Sequence, residues 1–247
     1  KDMKVLPISL NITTKQETLQ NAKAAILSQK ADIYVLPECF ASGYQKFPEQ
    51  FAEPVCGETF QWMREMATLQ NAAVCGSVIT RDNEQFFNRF YFVTATQHAH
   101  YDKIHLFRMG GEDQHYKAGD AIKFVLYKNW RIQLQICYDL RFPILSNQYA
   151  DLILYVANWP EQRLHAWKSL LAARAIENQA FVVGCNRTGE DSLGKYVQSS
   201  YVFDFMGREC GLSLNLEEQK QFRTAFPAHL DKDEVQIAVK IETANIE

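Results

Sequence analysis

Residues 151–159 read DLILYVANW, a nearly continuous apolar run. A strand of this character is buried on both faces, so the chain has to supply a packing layer on each side of it. The rest of the sequence offers those layers by interspersing strand and helix patterns. KVLPISL, DIYVLPE, AAVCGSVI, RFYFVTA, WRIQLQICYD, AFVVGCN, VQSSYVFD and VQIAVKI read as strands. Residues 15–29, with Leu19, Ala22 and Ile26 at helical spacing, read as a helix. So do 59–71 (Phe60, Met63 and Ala67), 165–178 and the polar stretch LEEQKQF. That is more strands than one parallel sheet needs. The economical architecture is α/β, with two sheets packed face to face, helices on the outer sides, and a single domain over 1–247.

A chain of 247 residues is long enough for one sizeable core, and no repeat, low-complexity segment or Pro/Gly/Ser-rich linker divides it. Its 26 basic and 29 acidic residues give a net charge of −3 without a long run of one sign. That balance points away from nucleic acid and membrane surfaces and toward a small-molecule partner. The first ten residues, KDMKVLPISL, carry no apolar stretch of signal-peptide or spanning length, and the expectation is a cytoplasmic protein. Cys39, Cys56, Cys75, Cys137, Cys185 and Cys210 lie far apart with no C-x-x-C pair, which reads as free thiols. His105, His115 and His165 show no metal-ligand spacing, so no metal is expected.

Three segments end a packed run on a chemically useful residue: Glu38 in LPECFASGY, Lys103 in YDKIHLF and Cys137 in LQICYDLRFP. Strand ends are where α/β sheets place ligands, because loops converge there on one crevice. Taken singly, Cys137 reads as a core thiol, Glu38 as a surface carboxylate and Lys103 as a solvated charge. An acid, a cation and a thiol at three such places form a constellation.

These segments resemble the nitrilase superfamily of carbon–nitrogen hydrolases. The strings ICYDLRFP, YVANWP and RAIENQAFVVGCNR resemble its omega-amidase branch. The matches run from Leu36 to Asn186 in the family's order. The resemblance implies an αββα sandwich with a Glu38–Lys103–Cys137 triad and no cofactor, and a supporting glutamate at Glu112. It also implies a homodimer across a helical interface, and a small amide substrate such as 2-oxoglutaramate or 2-oxosuccinamate. Residues 215–247 match poorly and read as a C-terminal extension that packs on a partner subunit.

The chemistry stands on its own terms. Amide carbonyls are poor electrophiles, and a thioester route splits the work into two easier steps. Moving a proton from a thiol of pKa about 8.5 to a carboxylate of about 4.3 is uphill by roughly 5–6 kcal/mol. A neighbouring Lys103 ammonium favours the thiolate, and partial burial makes Glu38 a better base. Lys103 and the backbone N–H of Tyr138 would then hold the oxyanion, each donor worth about 2.7–4 kcal/mol. A substrate carboxylate asks for a cation, for which Arg141 and Arg163 are candidates. Arg141 also reads as structural, paired with Asp139 or a helix C-terminus. Trp159 and Tyr44 are candidate pocket walls that equally read as packing. Two rival readings are a Cys–His hydrolase pairing Cys137 with His115 or His165, and a non-catalytic binding protein that keeps the fold.

Overall fold

The computed structural model describes residues 2–146, 149–228 and 240–247. Its first half runs β1 (Met3–Pro7), α1 (Lys15–Ser28), β2 (Ile33–Val35), β3 (Glu53–Pro54), α2 (Glu58–Gln70), β4 (Ala73–Asp82), β5 (Gln85–Val93) and β6 (His98–Asp102). The second half runs β7 (Ala121–Tyr127), β8 (Trp130–Ile136), β9 (Leu152–Ala157), α3 (Leu164–Asn178), β10 (Phe181–Asn186), β11 (Gly189–Asp191), β12 (Gly194–Tyr196) and β13 (Tyr201–Phe203). It closes with β14 (Ser213–Leu214), α4 (Leu216–Ala225) and β15 (Lys240–Ile246). One sheet has the order β14-β1-β2-β4-β5-β6, with β3 beside β4. The other has the order β13-β10-β9-β8-β7-β15, and β11 and β12 form a separate hairpin.

The apolar run at 151–159 explains the layering. In β9, Leu152, Leu154 and Val156 face the first sheet, while Ile153, Tyr155 and Ala157 face α3, and all six are buried. Period-two alternation thus puts apolar residues on both faces, as a central strand between two layers requires. The core between the sheets joins Val5, Val35, Phe90 and Phe92 to Ile132, Leu134, Leu154 and Val183. Outside the first sheet, α1 and α2 pack Ala22, Ile26, Phe60 and Met63 on Tyr34, Val74 and Tyr91. Outside the second, α3 packs Trp167, Leu171 and Ala175 on Ile153, Tyr155 and Val182. The result is the four-layer αββα sandwich, in one domain.

Local chemistry sets the registers. β4 and β5 turn through Asn83 and Glu84, and β7 and β8 through Lys128 and Asn129, all four with positive φ. Two-residue loops of this kind match the twist of paired strands. The alternation in WRIQLQI proves to be polar but not solvent-facing: Gln133 and Gln135 are buried, and Gln133 donates to the Leu145 carbonyl. The expected strand VQSSYVFD shortens to Tyr201–Phe203. Residues 235–239 of VQIAVKI lie outside the described residues, and a strand runs from Lys240 to Ile246.

The described residues of the C-terminal segment 215–247 also make contacts within this chain. Arg223 of α4 holds Asp151 and the Ala150 carbonyl, and Gln219 reaches the carbonyls of Asp151 and Gln179. β15 runs parallel to β7 along its full length. Among the described residues no helix is long and apolar enough to cross a membrane.

Gly184 lets α3 approach β10. A Cβ there would fall 2.4 Å from Leu171 Cδ1 and 2.8 Å from Trp167 Cζ2. Gly184→Ala is therefore expected to destabilise the protein by about 1–3 kcal/mol through overpacking, measured by urea unfolding.

Candidate active site

Four strand ends meet where the two sheets face each other. Glu38 follows β2 and Lys103 follows β6 in the first sheet; Cys137 and Asn158 directly follow β8 and β9 in the second. Pro37 has no N–H to continue the ladder, so the chain leaves the sheet at Glu38. Cys39 and Cys137 both take positive φ, 48° and 45°. Left-handed backbone costs a non-glycine residue roughly 1–2 kcal/mol, so both turns depend on the groups that hold them.

At the centre is a buried charge cluster. The Lys103 ammonium donates to Glu38 Oε1 and to Glu112 Oε2, each at 2.9 Å. The three side chains are 2%, 3% and 0% exposed respectively. Burial alone would lower the Lys103 pKa, but Glu112 and Glu38 together outweigh it and hold the group as an ammonium well above its ordinary range. Burial pushes the Glu112 carboxyl up, and Lys103 pulls it back. The neighbouring Cys39 thiol stays neutral, raised first by burial and then by Glu38 and Glu112.

Counting lone pairs separates the two carboxylates. Glu112 Oε2 accepts from Lys103 and from the Phe107 N–H at 2.6 Å, while Oε1 accepts from Asn88 Nδ2 at 3.2 Å and from Lys103 at 3.3 Å. Every acceptor position on Glu112 is occupied. Glu38 Oε1 is also full, taking Lys103 and Asn88 Nδ2 at 2.8 Å. Oε2 accepts the Asn158 N–H at 2.9 Å and keeps one lone pair, and the Cys137 thiol shares the same cavity with Glu38. Glu38 can take a proton from the thiol, whereas Glu112 would first have to give up a donor. The longest of the three Lys103 contacts, to Glu112 Oε1 at 3.3 Å, is the one a group in the pocket can share.

Burial, then Glu38, raise the Cys137 thiol well above its ordinary range, against the pull of Lys103. The resting sulfur is thus a neutral thiol beside a carboxylate. It opens on a cavity of about 450 Å3 lined by Glu38, Lys103, Cys137 and, among others, Tyr44, Tyr138, Arg141, Trp159 and Arg163. Pockets of this size hold small organic ligands.

All nine residues singled out in the sequence are brought together: eight line the cavity, and Glu112 lies behind it against Lys103. Tyr138 N–H belongs to the first turn of the 3-10 segment Cys137–Arg141, where N–H groups have no partner within the helix. Trp159 donates its indole N–H to the Arg163 carbonyl at 2.8 Å, and Tyr44 stacks on Tyr116. The pairing of Arg141 with Asp139 does not form. Asp139 is engaged elsewhere, and Arg141 lies over the Trp159 ring with its centre 5.2 Å away, as Arg163 lies over Phe107 at 5.4 Å. Both arginines are exposed and without a carboxylate partner among the described residues. His115 packs against Phe47 and His165 is exposed on α3; neither lines the cavity, which leaves the Cys–His reading without its histidine.

Sequence reasoning missed Asn88, the Asn158 backbone, Asp139 and Tyr196. A lone asparagine inside FFNRFYF was the available signal for Asn88, since a buried polar side chain in an apolar strand needs partners. Tyr196 reaches the cavity from the β11–β12 hairpin, which carried no sequence signal of its own. Among the described residues no group of three or more His, Cys, Asp or Glu side chains could hold a metal ion.

The comparisons agree with this geometry. The family profile for carbon–nitrogen hydrolase matches residues 6–218. The chain is 42% identical over 220 residues to the omega-amidase YafV of Yersinia enterocolitica, covering 83% of this chain and 86% of that one. It is 32% identical over 222 residues to the 2-oxoglutaramate amidase of Bacillus subtilis strain 168, with the same coverage of 83% and 86%. Among solved structures it resembles XC1258 of Xanthomonas campestris, a CN-hydrolase superfamily protein with an arsenic adduct in its active site. The TM-score is 0.91 and the identity 35%, over 96% of this chain and 99% of that one. With the sandwich, the strand-end cluster and these relatives in agreement, the chain belongs to the carbon–nitrogen hydrolase family.

Proposed function

We propose that this protein hydrolyses the terminal amide of a short 2-oxo dicarboxylate monoamide, 2-oxoglutaramate or 2-oxosuccinamate, to the carboxylate and ammonia. The observation that carries the reading is the single open lone pair of Glu38, on Oε2, in one pocket with the Cys137 thiol, Arg141 and Arg163. The relatives named omega-amidase and 2-oxoglutaramate amidase support the substrate class.

In this mechanism the Cys137 proton passes to Glu38 Oε2 as the sulfur attacks the amide carbon. The oxyanion forms beside the Tyr138 N–H and the Lys103 N–H whose contact with Glu112 Oε1, at 3.3 Å, is the longest of its three. Glu38 returns the proton to the nitrogen, the C–N bond breaks, and ammonia leaves a Cys137 thioester. Glu38 then takes a proton from water, hydroxide adds to the thioester, and collapse releases the acid and a thiolate that recovers its proton from Glu38. Glu112 and Asn88 fix Lys103 and Glu38 throughout. Arg141 or Arg163 receives the substrate carboxylate, and Tyr44 and Trp159 wall the acyl chain. Water exclusion strengthens each of these contacts.

A homodimer and a cytoplasmic setting belong to the same proposal. Ile176, Met206 and Phe226 stand exposed on the outer side of the α3 layer, suited to cover one another across two copies. Six unpaired cysteines fit a reducing compartment.

Purified protein is expected to release ammonia from 2-oxoglutaramate faster than from glutamine or a simple nitrile. Cys137→Ala and Glu38→Gln are each expected to cut the rate by at least about 1,000-fold. Lys103→Ala leaves two buried carboxylates without their cation, at a cost of about 3–5 kcal/mol, so its rate is read on the folded fraction. Release from a nitrile or an unrelated amide alone would refute the substrate assignment and keep the triad. A second outcome follows from the raised thiol pKa. Iodoacetamide inactivation of the resting enzyme is expected to keep rising beyond the ordinary thiol pKa of about 8.5, because the thiolate fraction is still growing there. A plateau below that pH would contradict a neutral resting thiol.

A further inference from the structure

Asp139 is fully buried two residues after Cys137, and no step above uses it. Its oxygens are spent on two stretches of backbone. Oδ2 accepts the Ile136 N–H at 3.0 Å and the Tyr101 hydroxyl at 2.7 Å, and Oδ1 accepts the His105 N–H at 2.9 Å. His105 Nδ1 lies 3.6 Å from the same Oδ1. The Tyr101 oxygen in turn accepts the Ile104 N–H at 3.1 Å.

These partners have a pattern. Ile136 is the residue before Cys137, at the end of β8 in the second sheet; Tyr101, Ile104 and His105 bracket Lys103 at the end of β6 in the first. One carboxylate therefore ties the thiol's turn to the lysine's turn across the seam between the sheets. The tie falls where it is needed, because Cys137 occupies a left-handed conformation that relaxes unless its neighbours hold it. Tyr101 remains a donor, since burial and then Asp139 push its phenol well above the ordinary range. Arg141 does not compete for Asp139: it lies over Trp159 instead.

We propose that Asp139 is a positioning residue, which with Tyr101 sets the Cys137 thiol in register with Lys103 and Glu38. The proposal rests on the reading of Cys137 as nucleophile. It assigns Asp139 a role in rate beyond any role in folding, because the groups it ties belong to different sheets and must meet within a fraction of an ångström.

The test compares Asp139→Asn, Tyr101→Phe, the double variant and Cys137→Ala. It reads kcat and KM per folded site, the rate of iodoacetamide alkylation at Cys137, and Tm. An amide at position 139 sets an NH2 against N–H donors, and kcat is expected to fall about 100-fold with KM changed less than about threefold, as for a small misplacement of reacting groups. Alkylation at Cys137 is expected to slow with it. Tyr101→Phe removes one contact and is expected to lower kcat by about tenfold, with the double variant no worse than Asp139→Asn because both act through one tie. Variants with a lower Tm but wild-type kcat and alkylation would overturn the proposal. Should Asp139→Asn fail to fold, Tyr101→Phe decides alone by the same readouts. Activity surviving in Cys137→Ala would sink the nucleophile reading itself. An inactive Cys137→Ala beside fully active Tyr101→Phe and Asp139→Asn would sink only the role of Asp139.

Discussion

An ammonium group that is 2% exposed has lost nearly all its hydration, and the protein must replace it. Lys103 is compensated by Glu38 and Glu112, but two carboxylates around one ammonium leave an excess of negative charge that also needs donors. Those donors are the Asn88 side chain on β5, the Phe107 N–H in the loop after β6, and the Asn158 N–H at the end of β9. Both sheets contribute to them, so the cluster forms only when the sandwich is closed. The same saturation leaves one acceptor position open on Glu38, at Oε2. Burial of the lysine, assembly of the sheets and direction of the proton are one requirement seen at three scales.

The rest of the site is support for that arrangement. The cavity's far wall comes from the β11–β12 hairpin, which is held by a buried Arg187. Its guanidinium pairs with Asp191 at 2.7 Å and lies over Tyr196, whose hydroxyl meets Asp191 at 3.0 Å. The cluster's side chains sit at strand ends, and loop and hairpin residues line the rest of the cavity. This division lets one family keep its chemistry while pockets differ.

Much of this was legible in the sequence, for identifiable reasons. DLILYVANW announced a strand with two buried faces, and the helical spacing of Ala22 and Ile26 or Phe60 and Met63 placed α1 and α2 within a residue of their observed starts. Glu38, Lys103 and Cys137 were readable because each ends a packed segment in a string with a family resemblance. The polar supports were less visible. Asn88 acts through contacts 50 and 24 residues away in the chain, which no local pattern encodes. Asp139 lies in a recognisable string, yet its partners are an unremarked tyrosine and two backbone N–H groups. Short strands such as β6 were missed because the alternation in HAHYD rests on only Ala99 and Tyr101 among polar residues; its place comes from pairing with β5. The segment 215–247 matches the family strings poorly, and its described elements bury Gln219 and pair β15 with β7 within this chain.

The central claim is that Cys137 carries the acyl group between the two halves of the reaction. The direct measurement is acid-quenched mass spectrometry of the enzyme mixed with 2-oxoglutaramate, with ammonia release followed on the same millisecond-to-second timescale. The account predicts a transient mass increase equal to the acyl group, confined to the peptide that contains Cys137 and accompanied by a matching burst of ammonia. Steady ammonia release with an unmodified Cys137, or an adduct on another residue, would contradict it.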